Sequence, residues 1–351
     1  FLKNKTFSII NLVGLVIGLT AFLLILLYIQ YELSFDRYHK DYTSIYRVRT
    51  ISEMNGKEES WLQTPAPLAM FIKEKTPSIE DYVRIAKCNK AIINTEGKNF
   101  NETTLIIADP SIFDVFTFPL IIGNANNVLN SPNSVVITEL AAYKYFGNEN
   151  PIGKILKVNR KTDLVVTGVM KDIPQNSHLR FDFLASTQSA DSLLGKGFLN
   201  DPMNTVVYTY LKIHEKPNFT SKNIKTIEEL ANSYYDALPL RSSIKLQPIA
   251  DIHLHSHYGG EFGTNSDIIY AYIFSIVALL VLLIACINYT NLSLAVYSTR
   301  IREVSIRKIF GSSRKRLIAM FFVESFVMLF LSLNFAFILL KLLLPWFTQF
   351  I

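Results

Sequence analysis

"REVSIRKIFGSSRKR", residues 302–316, carries six Lys or Arg against one Glu and lies between two long apolar runs. A basic segment between such runs stays on the cytoplasmic side of a membrane, so its reading orients the whole chain. The run before it, residues 268–297 (IIYAYIFSIVALLVLLIACINYTNLSLAVY), is uncharged for 30 residues, and the run after it, residues 317–340, is interrupted by Glu324 alone. A third run, residues 7–29 (FSIINLVGLVIGLTAFLLILLYI), follows Lys3 and Lys5. A hydrocarbon core of about 30 Å takes about 20 helical residues, so each run is long enough to span. Residues 7–29 exceed the apolar core of a secretory signal, and QYELSFDRYHK follows without a small-residue cleavage site, which predicts a retained helix.

The flanking charges place the N-terminus and residues 300–316 in the cytoplasm, so residues 32–267 lie outside. The chain of 351 residues has room for two or three domains, and its 50% hydrophobic content and mean hydropathy of +0.24 are high for a soluble protein. The net charge of +6 invites a nucleic-acid reading, but residues 32–267 hold 25 Lys and Arg against 27 Asp and Glu, a net of −2. The basic excess sits at Lys3, Lys5, Arg300, Arg302, Arg307, Lys308, Arg314, Lys315 and Arg316, beside the spans, which is the pattern of topology and not of a DNA-binding face. The expected fold is a membrane protein with α-helical spans and a large α+β extracytoplasmic domain inserted between the first two. Its parts are a first transmembrane helix (1–31), the outer domain (32–267), a second helix (268–298), a cytoplasmic helix and turn (299–316), a third helix (317–341) with Lys341 and Pro345 at its far end, and an outer end (342–351). Opening on Phe1 and stopping soon after the third span predict a piece of a longer chain with at least one more span.

Within the outer segment, NSVVIT and DLVVTGVM are β-branched runs of strand length, and TVVYTYLKI alternates. ELAAYKYFG reads as a short helix ended by Gly147, TIEELANSYYDAL as another helix, and Pro151, Pro174 and Pro202 mark loops. A division into two subdomains is expected near residues 105–110, with a return near 175–185. Cys88 and Cys286 fall on opposite sides of this topology and cannot pair; each reads as a plain buried or lipid-facing residue. His253, His255 and His257 alternate, which on a strand puts all three on one face. That is either a metal site or a solvated strand or juxtamembrane loop, and no carboxylate or cysteine stands at a ligand spacing beside them.

Candidate residues also lie in the spans. Gly14 and Gly18, four apart, either admit a close helix neighbour or are glycines that lipid tolerates. Asn288 and Asn291, with Tyr289, Thr290 and Ser293, can bond between helices. Glu324, about two turns into the third span, is costly there and should face protein or water, in a structural or coupling role or in a proton relay. The chain has no GxxxxGK[ST] loop, no G-x-S-x-G elbow and no HExxH, hence no visible means of hydrolysing ATP.

Residues 299–316 read as a short amphipathic helix. Ile301, Val304, Ile309 and Phe310 share an apolar stripe, Gly311 ends the helix, and Ser313 caps the next span. From these residues alone the segment is either a positive-inside anchor on anionic lipid or a docking helix. The chain resembles the MacB/FtsX-like permeases of ABC transporters along essentially its whole length. FLKNKTFSIINLVGLVIGLTAFLLILLYIQYELSFDRYHKDYTSIYRV resembles the family's first helix and its exit. FTFPLIIGN, NSVVITELAAYKYFGNENPIGK, VTGVMKDIPQNSHLRFDFL and DIHLHS are similar to core-domain signatures. IACINYTNLSLAVYSTRIREVSIRKIFGSSRKRLIAMFFVES resembles the second helix, coupling segment and third helix.

The resemblance implies a permease subunit of an ABC transporter in the bacterial inner membrane, with a periplasmic domain and a four-span unit of which three spans are visible. It implies that Glu303, Arg307, Lys308 and Gly311, matching E-x-x-x-R-K-x-x-G, with Arg302 and Ser312 beside them, meet a cytoplasmic ABC ATPase dimer. Glu324 and Ser325 match the family's ES. The implied mechanism is mechanotransmission for export, with ATP bound by the partner, no cofactor or metal in this chain, and no enzyme activity of its own. The implied partners are a second permease copy or paired half, membrane lipid, and a periplasmic adaptor or outer-membrane protein, but no nucleic acid. The competing reading is a receptor or scaffold that signals to a kinase or cell-wall hydrolase without transport. A kinase-linked sensor would need a cytoplasmic signalling segment, and a division-type permease would have a much smaller outer domain.

Overall fold

A computed structural model describes residues 5–54, 57–88, 91–95, 98–102, 104–214, 221–236, 238, 242–299 and 301–348. Lys3 and Arg300 lie outside the described residues, as do residues 349–351. The chain forms two compact units, Phe1–Leu33 with Asp267–Ile351, and Ser34–Ser266.

The first unit contains the three apolar runs as helices, because a backbone in hydrocarbon must satisfy its own hydrogen bonds. Helix α1 (Lys5–Leu33) leads into the second unit. There the chain forms β1 (Ile45–Met54), β2 (Lys57–Trp61), β3 (Thr64–Pro65), α2 (Ala66–Lys75), β4 (Ile79–Lys87), β5 (Ala91–Thr95), β6 (Lys98–Glu102) and β7 (Leu105–Ala108). Then come α3 (Ile112–Val115), β8 (Leu120–Ile122), β9 (Ser134–Thr138), α4 (Glu139–Phe146), β10 (Ile155–Val158), β11 (Thr162–Met170) and β12 (Phe183–Ser186). The unit closes with α5 (Ala190–Leu193), β13 (Thr205–Ile213), α6 (Ser221–Asp236), β14 (Ser242–Pro248) and α7 (Ile252–His255). The chain returns to the first unit as α8 (Ile268–Thr299), α9 (Ile301–Ile309) and α10 (Arg314–Phe347). Among the described residues, three helices are thus long and apolar enough to cross a membrane. The last does not stop at Lys341; Pro345 lies inside its final turn. A proline so close to the end removes one backbone donor while LLLPWF remains apolar, so the helix persists through it.

The strands form one sheet in the order β14-β1-β13-β4-β7-β12-β9-β11-β10-β5-β6, with β2 beside β1, β3 beside β13 and β8 beside β11. Most pairs are antiparallel; β7–β12 and β9–β11 are parallel. The expected subdomain boundary near 105–110, with its return near 175–185, does not divide the sheet, because β5 pairs with β10 across it (Asn94↔Lys157, Ile93↔Val158) and β12 with β9 (Phe183↔Ile137). NSVVIT and DLVVTGVM are β9 and β11, and Gly147 ends α4 at φ 61° while donating to the Tyr143 carbonyl. TVVYTYLKI is β13, but Val207–Leu211 are all buried, so its alternation does not mark a solvated face. The polar members are satisfied internally: Thr209 Oγ1 lies 2.7 Å from Thr64 Oγ1, and the Tyr210 hydroxyl 2.9 Å from His178 Nε2.

The three histidines do not share a strand face. Residues 252–255 form one helical turn, in which His253 is buried and stacked on Phe35 at 3.3 Å between ring centroids, while His255 and His257 are exposed. A 3.6-residue turn sends alternate side chains apart, which a strand would not.

Candidate functional site: the basic helix and turn and the anchored ends of the outer domain

The basic segment between the second and third apolar runs is a helix, a turn and the start of a helix. Helix α9 covers Arg302, Glu303, Arg307 and Lys308, with both of the last two in its final turn, where cations favour the exposed carbonyls. Gly311 takes φ 86°, which costs a residue without Cβ nothing. The Ser312 amide donates to Arg307 O at 3.0 Å and the Gly311 amide to Lys308 O at 3.1 Å, so the last carbonyls of α9 are closed by a Schellman-type turn. Ser313 then caps α10 by accepting from the Arg316 amide. Arg307 and Lys308 are exposed, and so are Ile301, Ile309 and Phe310, the last two at 83% and 86%, while Val304 is half-buried. Arg307 Nη1 also reaches Met320 Sδ of α10 at 3.2 Å.

Behind this segment, α1 packs against both α8 and α10 through Leu15, Leu19, Ala285 and Ala336. A Cβ on Gly18 would stand 2.5 Å from Ala285 Cβ, and one on Gly14 would stand 3.1 Å from Asn288 Nδ2. Small residues admit this close approach where apolar transfer drives nothing. Asn11 is buried and its Nδ2 donates to Ser293 Oγ at 3.3 Å. Glu324 and Ser325 are half-buried on α10, and Asn291 is exposed on α8. We predict that Gly18→Val forces α1 and α8 apart and costs about 1–3 kcal/mol, lowering the melting temperature of the solubilised protein, whereas Gly14→Ala leaves it nearly unchanged.

Sequence reasoning missed how the outer domain secures its two ends. After α1, Asp36 is fully buried at φ 59° and its Oδ1 lies 2.8 Å from His178 Nδ1, while also accepting from the His178 amide at 3.0 Å. Burial alone would raise the Asp36 carboxyl, but His178 and then His39 outweigh it and hold it below its usual range. The Thr117 amide donates to His39 Nδ1 at 3.0 Å, which leaves the proton on Nε2. Burial pushes His39 down to about 3, so the ring is neutral. At the other end, Arg47 is fully buried and forks Glu261, Nη1–Oε2 at 2.6 Å and Nη2–Oε1 at 3.0 Å, and also donates to Gln247 Oε1 and Ser256 Oγ, each at 2.8 Å. Lys87 Nζ donates to Glu261 O at 2.8 Å and lies over the Phe262 ring. These bonds fasten residues 256–262, just ahead of α8, to β1 and β4.

The comparisons agree with this architecture. Residues 8–218 match the family model of the MacB-like periplasmic core domain, and residues 275–351 that of the FtsX-like permease C-terminal region. The chain belongs to the MacB/FtsX-like ABC transporter permeases. A domain of a protein described as a permease, from Porphyromonas gingivalis, matches at TM-score 0.50 and 20% identity over 60% of this chain and 91% of that one, which shows a shared fold. The periplasmic region of MacB from Actinobacillus actinomycetemcomitans matches at TM-score 0.43 and 20% identity, over 58% of this chain and 89% of that one. The extracellular domain of the noncanonic ABC-type transporter YknZ from Gram-positive bacteria matches at TM-score 0.43 and 14% identity, over 58% and 99%. No curated protein matches the chain. The chain is therefore a transmembrane permease component with a periplasmic-type domain, of a family that generally pairs with a cytoplasmic ABC ATPase.

Proposed function

We propose that this permease works by mechanotransmission. A separate cytoplasmic ATPase dimer binds and hydrolyses ATP, moves α9, and the spans relay that movement to the outer domain for export of a substrate. The chain itself binds no cofactor; two copies, or this chain and a paired half, flank the ATPase dimer. The observation that carries the reading is α9, a capped helix that leaves Ile309 and Phe310 uncovered beside Arg307 and Lys308 and passes through a closed turn directly into α10. Apolar side chains framed by cations suit a protein groove with an acidic rim. The exposed Asn291 supports a further helix against α8, since an amide facing lipid is costly. The fastened ends of the outer domain support transmission, because a slack connection would absorb the displacement.

The test is purification of the full chain from its own membranes in mild detergent. An ATPase with a phosphate-binding loop should copurify with the wild type and be lost with Arg307→Glu. In the reconstituted pair, Gly311→Pro should uncouple ATP hydrolysis while the outer domain stays folded. Copurification of a kinase or cell-wall hydrolase in place of an ATPase, or unaltered coupling in both variants, would overturn the proposal.

A further inference from the structure

The outer domain carries an open groove where α4 passes β8, about 460 Å³ in volume, lined by Leu140 and Tyr143 on one side and Ile121 and Ile122 on the other. Leu140 and Tyr143 are 66% and 67% exposed, and Ile121 and Ile122 45% and 41%. Single apolar residues on a surface are ordinary; four around one depression mark a binding face. Glu139 and Asp172 line the same groove and are exposed, and among the described residues no Lys or Arg lines it. Lys144 of α4 pairs with Glu102 at 2.6 Å, and Lys171, the chain neighbour of Asp172, is exposed but is not among the lining residues.

Charge and shape narrow the occupant. The first amides of α4 do not offer an anion site, because the Leu140 amide donates to Asp172 Oδ1 at 2.9 Å and the Ala141 amide to Thr138 Oγ1 at 3.2 Å. Two carboxylates repel an anionic lipid headgroup. In a two-fold dimer through this face they would meet each other, and like charges set against each other are unfavourable. A small ligand is normally enclosed over most of its surface, whereas Leu140 and Tyr143 stand outward as knobs. We propose that this groove docks a segment of another extracytoplasmic protein that presents apolar side chains flanked by Lys or Arg. The site is independent of the coupling role of α9.

The experiment uses the full chain in phosphatidylcholine nanodiscs and a fluorescein-labelled peptide of Leu-Lys repeats, with a Leu-Glu peptide of equal length as control and empty nanodiscs subtracted. The Leu-Lys peptide should bind. The Leu-Glu peptide, the Leu140→Ser/Tyr143→Ser double variant and Glu139→Lys should each lose about tenfold or more in affinity, with unchanged melting curves. Equal binding of both peptides, or wild-type binding by the variants, overturns the proposal. So does self-association that the double variant abolishes without peptide binding, or tetraphenylphosphonium binding at the groove where the peptide fails. Copurification of the ATPase is read separately, so loss of one result leaves the other standing.

Discussion

Replacing Arg47 by Ala should cost the outer domain about 3–5 kcal/mol, because it strands the Glu261 carboxylate among buried groups. Arg47 has no exposed surface, and its fork takes both oxygens of Glu261 while two further bonds reach Gln247 and Ser256. Glu261→Gln keeps the shape and two acceptor lone pairs but leaves the guanidinium charge unanswered, so it should cost less than Arg47→Ala. The Arg47→Met/Glu261→Met pair should recover part of the loss, since a buried ion pair can be exchanged for apolar packing with little net change. Hydrogen exchange reads these variants directly: opening should begin in residues 256–266 and in β1, not in β9 or α4. Protection of residues 256–266 at wild-type level in Arg47→Ala would show that the ion pair does not hold them.

The second large effect is on acid stability. His39 is neutral in the fold, with a pKa of about 3, and takes a proton near 6.5 when unfolded. The unfolded chain therefore binds one more proton between those values, and the stabilisation complete above about pH 6.5 falls away toward pH 3 at up to ~1.4 kcal/mol per pH unit. Asp36, whose carboxyl is held below its usual range, contributes in the same direction, complete above about pH 4 and lost on further acidification. Denaturant titrations at stepped pH should show the slope, and His39→Gln, which cannot titrate, should flatten it between pH 6 and 4. An unchanged slope in that variant would assign the acid sensitivity to other groups.

What the sequence made legible was local or periodic. Spans emerge from hydropathy, orientation from basic flanks, and β9, β11 and α4 from β-branched runs and Gly147, because each signal lies within one element. The α9–Gly311–Ser313 arrangement was readable for the same reason: a Schellman turn and a cap are set by neighbours in the chain. The unity of the sheet was not, since the β5–β10 pairing depends on a register that no single strand encodes. The fork between Arg47 and Glu261 joins residues more than 200 positions apart, and nothing near either residue announces the other. His253 was misplaced because alternation is shared by strands and by short turns, and only the stacked Phe35 decides between them. SFDRYHK and PQNSHLRF carried the family likeness as strings; that Asp36 meets His178 is legible only in three dimensions.

The pairing of β1 with β14, with Tyr46 opposite Pro248, brings the incoming and outgoing chains of the outer domain side by side at one edge of the sheet. A domain whose two ends are neighbours can be inserted between helices with little cost in chain closure, and removed the same way. It is a cassette: the membrane part can keep its length and spacing while the insert diversifies. Grafting residues 34–266 between two helices of an unrelated membrane protein should return a folded domain with the spacing of its host undisturbed.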